Sequence, residues 1–96
     1  MKTLDEIKSA LNTYKKDLFK KYPLKSIAIF GSYARQEQDE SSDLDVLVEF
    51  NDKIGIRFID LAEEIEKILG IKIDLVSKKG IKEKYLNTID SELIYV

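Results

Sequence analysis

Ser42-Asp43-Leu44-Asp45-Val46-Leu47-Val48-Glu49-Phe50 is the stretch from which the rest of the chain can be read. Asp43, Asp45, Leu47 and Glu49 alternate with Leu44, Val46, Val48 and Phe50, the period-two pattern of a strand with one buried face. Upstream, Ser26 to Phe30 is a short apolar run with β-branched Ile27 and Ile29, ended by Gly31, and reads as a buried strand leading into a turn or short helix at Gly31-Ser32. Downstream, Asn51 to Gly55 is a loop. Phe58, Leu61, Ala62, Ile65, Ile68 and Leu69 then recur at helical spacing, with Gly70 where a left-handed C-cap belongs.

The flanks continue the alternation. Ile71, Ile73 and Leu75 interleave with Lys72, Asp74 and Val76, a further strand that leaves Asp74 on the face opposite its apolar set. Leu4, Ile7, Leu11, Tyr14 and Leu18 fall on one face of an N-terminal helix, Thr3 and Glu6 have capping-box spacing, and Pro23 stops it. Ile81, Tyr85, Leu86, Ile89 and Leu93 mark a last helix, with Leu93 to Val96 alternatively a short edge strand. The order of elements predicts an α/β (α+β) fold, a mixed sheet with helices packed on one face, formed by residues 1–96 as a single domain.

Composition narrows the chemistry. Hydrophobic residues make up 44% of the 96 and charged residues 35%, the balance of a folded globular domain. Apolar runs are far shorter than the ~20 residues that span a bilayer, and no signal-peptide block opens the chain, so a cytoplasmic location without membrane contact is expected. Sixteen basic and 18 acidic residues, spread along the chain for a net charge of −2, give no reason to expect strong nucleic-acid binding. With no Cys and no His, disulfides, thiol nucleophiles, imidazole bases and the usual zinc sites are all excluded. Catalysis must run on carboxylates, Lys, Arg, Tyr or Ser.

Asp43 and Asp45 stand two apart on a strand, so both carboxylates project from the same face. Two such charges at ~5 Å repel by roughly 3 kcal/mol at an effective dielectric of 20, a cost that a divalent cation between them reverses. Magnesium binds carboxylate oxygens together with waters and substrate phosphates, and Asp74 on the open face of the next strand would bring a third acid to the cluster. Three acids suit two-metal phosphoryl chemistry, in which no imidazole is required. Gly31-Ser32 supplies the complementary half. A residue without a β-carbon lets backbone approach phosphate, the amides that follow bind anions, Ser32 adds a hydroxyl, and Arg35 offers a planar, permanently charged fork. The bland alternatives are acidic residues on a solvated strand face and a strand-to-helix turn with a surface Arg.

The run Gly31-Ser32, ten intervening residues, then Asp43-Leu44-Asp45 resembles the signature of the minimal nucleotidyltransferases (MNT) of the DNA polymerase β superfamily, including the MNT partner of HEPN/MNT toxin–antitoxin pairs. Ala34-Arg35, Ser41-Ser42 and the Ile-Asp-Leu strand at Asp74 resemble that family too. The resemblance implies a polymerase β-type nucleotidyltransferase fold. It implies that Gly31, Ser32 and Arg35 hold a nucleoside triphosphate, and that Asp43 and Asp45 bind two magnesium ions. Asp74 would complete the metal site or act as base. It further implies AMP transfer from ATP to a tyrosine of a HEPN toxin, hence an antitoxin that works with a hetero-oligomeric partner or a second copy of itself. Two other readings are a non-catalytic antitoxin that neutralises its toxin by steric binding, and the catalytic subunit of a small-molecule (antibiotic) nucleotidyltransferase.

The remaining candidates have ordinary explanations. Tyr14, Tyr22, Tyr85 and Tyr95 fit core or interface packing. Tyr33 could face either the core or the nucleotide. Arg57, Lys53, Lys72, Lys78 and Lys79 are candidate phosphate contacts, and Glu37, Asp39 and Glu40 read as a polar loop.

Overall fold

Thr3 opens the first helix by a reciprocal cap: its hydroxyl accepts the Glu6 N–H at 3.2 Å and the Glu6 carboxylate accepts the Thr3 N–H at 3.0 Å. In the computed structural model, which describes residues 2–96, this helix, α1, spans Leu4–Lys21 and buries Ile7, Leu11 and Leu18. Lys20 and Lys21 sit in the last turn, where cations offset the negative end of the helix, and Pro23 forces the preceding Tyr22 into extended backbone.

Four strands and two further helices follow: β1 (Leu24–Phe30), β2 (Leu44–Phe50), α2 (Arg57–Leu69), β3 (Ile73–Ser77), α3 (Glu83–Ile89) and β4 (Ile94–Tyr95). The sheet order is β3-β2-β1-β4. β1 runs antiparallel to β2 and β4, whereas β2 and β3 are parallel and joined by the crossover helix α2. Gly70 ends α2 with φ 68°, the left-handed cap expected from the sequence. The mixed sheet predicted from the alternation is therefore present, and no helix among the described residues is long and apolar enough to cross a membrane.

The alternation of β1, β2 and β3 divides the interior into two unequal cores. Ile27, Ile29, Leu44, Val46 and Val48 pack with Ile7, Leu11 and Leu18 of α1 and Leu61, Ile65 and Leu69 of α2. On the opposite face Phe30 and Leu47 meet Ile89 of α3, with Val76, Ile81, Leu86 and Leu93 around them. Thus α1 and α2 form the expected one-sided helical layer, and the short α3 covers part of the other face.

Element boundaries differ from expectation for local reasons. β2 begins at Leu44 rather than Ser42 because Ser42 is tied into a turn, donating its N–H to the Asp39 carbonyl at 3.1 Å while its hydroxyl accepts the Asp39 N–H at 3.0 Å. β1 begins at Leu24 rather than Ser26, and the Asn51 N–H to the Pro23 carbonyl, 2.9 Å, carries the β1–β2 pairing to the end of both strands. The C-terminal segment takes both forms considered: α3 stops at Ile89, a 3-10 turn covers Asp90–Glu92, and β4 follows.

Candidate functional site

The site is assembled by strand register. In the parallel β2–β3 pair Asp45 lies directly beside Asp74, and on its other side Asp45 faces Phe30 of β1. Adjacent strands are ~4.8 Å apart, so the two acids are nearest neighbours across the sheet. The alternation that sends Leu44, Val46, Ile73 and Leu75 toward α1 and α2 necessarily sends Asp45 and Asp74 to the opposite face. Asp43 lies just before β2, two residues from Asp45 and near enough for its charge to act on that carboxyl. Asp43 and Asp74 are exposed, and Asp45 is partly buried. Burial pushes the Asp45 carboxyl above the usual carboxylate range, and the negative charges of Asp74, Asp43 and Glu92 raise it further against the opposing pull of Arg35.

Gly31 follows β1 directly, with φ +77°. A β-carbon built there would collide with Oδ2 of Asp45, so the absent side chain is what lets the acid reach the turn. Beyond it the chain closes a series of turns instead of a helix: Arg35 N–H reaches the Gly31 carbonyl at 3.1 Å and Glu37 N–H the Ser32 carbonyl at 2.8 Å. Gly31, Ser32, Arg35 and Asp45 share one cleft of about 340 Å³ with Tyr85, Thr88 and Glu92. Five of the six residues singled out by sequence, Gly31, Ser32, Arg35, Asp45 and Asp74, thus meet at one end of the sheet. Asp43 lies at its rim, in a neighbouring cleft with Lys72.

Among the described residues the side chains as they stand do not close three carboxylates around a point. The donor set nonetheless fits a hard divalent cation: hard anionic oxygens, no competing nitrogen or sulfur, and an Asp45 carboxyl whose proton affinity is raised first by burial and then by the neighbouring negative charges that such an ion would offset. Asp43, Asp45 and Asp74 are the residues able to hold it.

Several secondary candidates lie elsewhere. Tyr33 is buried in the larger core and lines the neighbouring cleft with Asp43, not the one shared by Gly31 and Asp45. Lys53, Lys78 and Lys79 line a separate cleft at the far end of β2, and the Arg57 guanidinium stacks 4.9 Å from the centre of the Tyr22 ring. Of the tyrosines expected in the core or at an interface, Tyr22 is buried, whereas Tyr14, Tyr85 and Tyr95 are exposed, Tyr85 lining the cleft beside Gly31 and Asp45.

Glu92 is the residue that sequence reasoning missed. Its carboxylate accepts the Gly31 N–H at 2.9 Å and two bonds from Arg35 Nη1, at 3.0 and 3.2 Å. Glu37 accepts from Arg35 Nε at 2.8 Å, which completes the hold on the guanidinium. No periodicity marks Glu92. The signal was topological: β4 pairs Ile94 with Ile29, and continuing that antiparallel register two residues sets Glu92 opposite Gly31.

Comparison with known proteins shows the family and the fold. A family model described as a nucleotidyltransferase domain matches residues 11–96. Over 100 aligned residues the chain is 52% identical to a Methanocaldococcus jannaschii protein provisionally named a protein adenylyltransferase, with 100% of both chains covered. It is 41% identical over 97 residues to the protein adenylyltransferase MntA of Thermococcus cleftensis, covering 100% of this chain and 98% of that one. A chain in the solved complex of a tri-AMPylated Shewanella oneidensis HEPN toxin with MNT antitoxin superposes with a TM-score of 0.68 at 23% identity, covering 93% of this chain and 70% of that one. At that identity the likeness is one of fold.

Proposed function

Because the chain belongs to the nucleotidyltransferase domain family, we propose that this nucleotidyltransferase moves AMP from ATP onto a hydroxyl of a partner protein in the cytoplasm, a tyrosine of a HEPN toxin, and so serves as that toxin's antitoxin. The observation that carries the reading is the parallel register that sets Asp45 beside Asp74, with Gly31 left bare to admit Asp45 to the phosphate turn. The names of the relatives support the adenylyl group and the protein acceptor, and the complex of the fold neighbour supports the toxin partner.

In this reading Gly31, Ser32 and Arg35 take the triphosphate oxygens, through a backbone amide, a hydroxyl and a guanidinium fork. Asp43 and Asp45 hold magnesium, with two ions the expected complement, and Asp74 either completes that set or accepts a proton from the acceptor. Magnesium, when bound, stabilises charge on the phosphoryl oxygens and acidifies the attacking hydroxyl. The acceptor oxygen bonds to the α-phosphorus, the bond to the bridging oxygen breaks, and pyrophosphate departs with that electron pair. The hydroxyl proton passes to Asp74 or to solvent. β3 is an edge strand, so the acceptor can approach Asp74 from the open side of the sheet.

The test is direct. Incubated with ATP, magnesium and a HEPN toxin from the same organism, the wild-type protein should add one or more AMP masses to the toxin, and Asp43→Asn should add none. A folded toxin left unmodified with every common nucleoside triphosphate would overturn the reading. An Asp43→Asn variant that still silences the toxin would show instead that contact alone neutralises it.

A further inference from the structure

One carboxylate takes the same donors that the phosphate turn offers. Glu92 Oε1 accepts from the Gly31 amide at 2.9 Å, and the Arg35 guanidinium spans both Glu92 oxygens, at 3.0 and 3.2 Å. A backbone N–H beside a charged fork is a donor set suited to a phosphate group, and a carboxylate satisfies it with similar geometry. The Glu92 side chain is 22% exposed, so its charge is well shielded from water and held inside the cleft shared with Ser32 and Asp45.

The segment that delivers Glu92 is lightly anchored. It leaves α3 through the 3-10 turn Asp90–Glu92 and enters β4, only two residues long, whose partners are Ala28 and Ile29. The Val96 N–H to the Ile27 carbonyl, 3.0 Å, adds a final backbone bond. Rotation of the Glu92 side chain alone would free both donors without undoing this strand.

We propose that Glu92 is an internal occupant of the triphosphate subsite: in the nucleotide-free protein it closes the cleft by holding Gly31 and Arg35, and an incoming triphosphate displaces it. This rests on the reading of Gly31 and Arg35 as phosphate donors. The device keeps the guanidinium paired in the absence of nucleotide, and it lowers the apparent affinity of any ligand that needs the same donors by the fraction of the protein in which they are free.

Calorimetric titration of ATP with magnesium into the wild-type protein, Glu92→Gln and Glu92→Asp tests it. Both variants should bind ATP more tightly, Glu92→Gln by about tenfold, the penalty removed when the open form is about a tenth of the population. The gain should shrink in an Arg35→Gln background, where the anion and Glu92 compete for the Gly31 amide alone. Glu92→Asp retains the charge but falls short of both donors, and it serves if the Gln variant does not fold. Equal or weaker ATP binding by the folded variants would make Glu92 a strut that orients Arg35 and would overturn the proposal, leaving the nucleotidyltransferase reading intact. Absence of ATP binding by wild type and variants alike would overturn both.

Discussion

The two faces of β2 differ in what their residues are for. Leu44, Val46 and Val48 point into the core beneath α1 and α2 and are 0% exposed. Asp45 and Glu49, one residue out of phase, stand on the other face, where Leu47 alone is buried. Burial of each aliphatic side chain stabilises the fold by about 1.5–3 kcal/mol, whereas on the opposite side Asp45 is crowded by the charges of Asp74 and Asp43, and Glu49 makes only surface ion pairs with Lys25 and Lys78. Stability therefore comes mainly from one face, and the other, beyond the small core at Phe30, Leu47 and Ile89, is free to hold charge in an arrangement that a ligand makes favourable.

The largest test of this division is Asp45→Asn. Loss of one preorganised electrostatic contact should lower AMP transfer by ~10²–10³-fold. Thermal melts without metal should show an unchanged or higher midpoint, since like-charge crowding is relieved. A clearly lower midpoint would make Asp45 a structural acceptor and erase the contrast between the faces. The mirror experiment is Ile65→Ala on the covered side, which should cost ~2–5 kcal/mol in urea denaturation. A loss under about 1 kcal/mol would mean that α2 is loosely seated.

Gly31→Ala probes the junction between the two regimes. The left-handed backbone at φ +77° costs a β-carbon roughly 1–2 kcal/mol, and the same atom drives Asp45 off the turn, so stability and ATP affinity should fall together. Affinity preserved alongside lower stability would separate the turn from nucleotide binding.

The mildest effect is a titration far from the site. Burial, and then the hydrogen bond from Tyr22 to Glu64 at 2.8 Å, push the Tyr22 hydroxyl up to about 12. A phenol whose folded value lies above its ordinary 10.0 lends stability that is complete below pH 10.0 and is lost as pH rises through about 12. Alkaline melts of wild type should converge on those of Tyr22→Phe across that window, and tyrosinate absorbance should show one late-titrating residue.

The sheet and its acids were legible in the sequence because both follow from one periodicity. Alternation at Asp43 to Phe50 and at Ile71 to Val76 fixed which side chains enter the core, and the acids followed by exclusion. Gly31 was legible as a bare position at a strand end, though the neighbour requiring it, Asp45, emerged only from the packing. Glu92 was hidden because its place depends on a two-residue strand pairing with a segment about 65 positions earlier, and no local propensity encodes such a pairing. α3 was foreseen as a helix but expected on the same face as α1 and α2; it lies on the other, because Leu86 and Ile89 pack against Phe30 and Leu47, a choice that helical spacing does not encode.

The β2–β3 pairing has one last consequence, for mutational drift. Sliding β3 by a single residue would expose Ile73 and Leu75 and thrust Asp74 into the apolar interior, a far worse outcome than losing a backbone bond or two. Any descendant of this chain that retains its greasy stripe keeps positions 45 and 74 side by side as well, so selection on folding alone preserves their alignment, whichever residues occupy them.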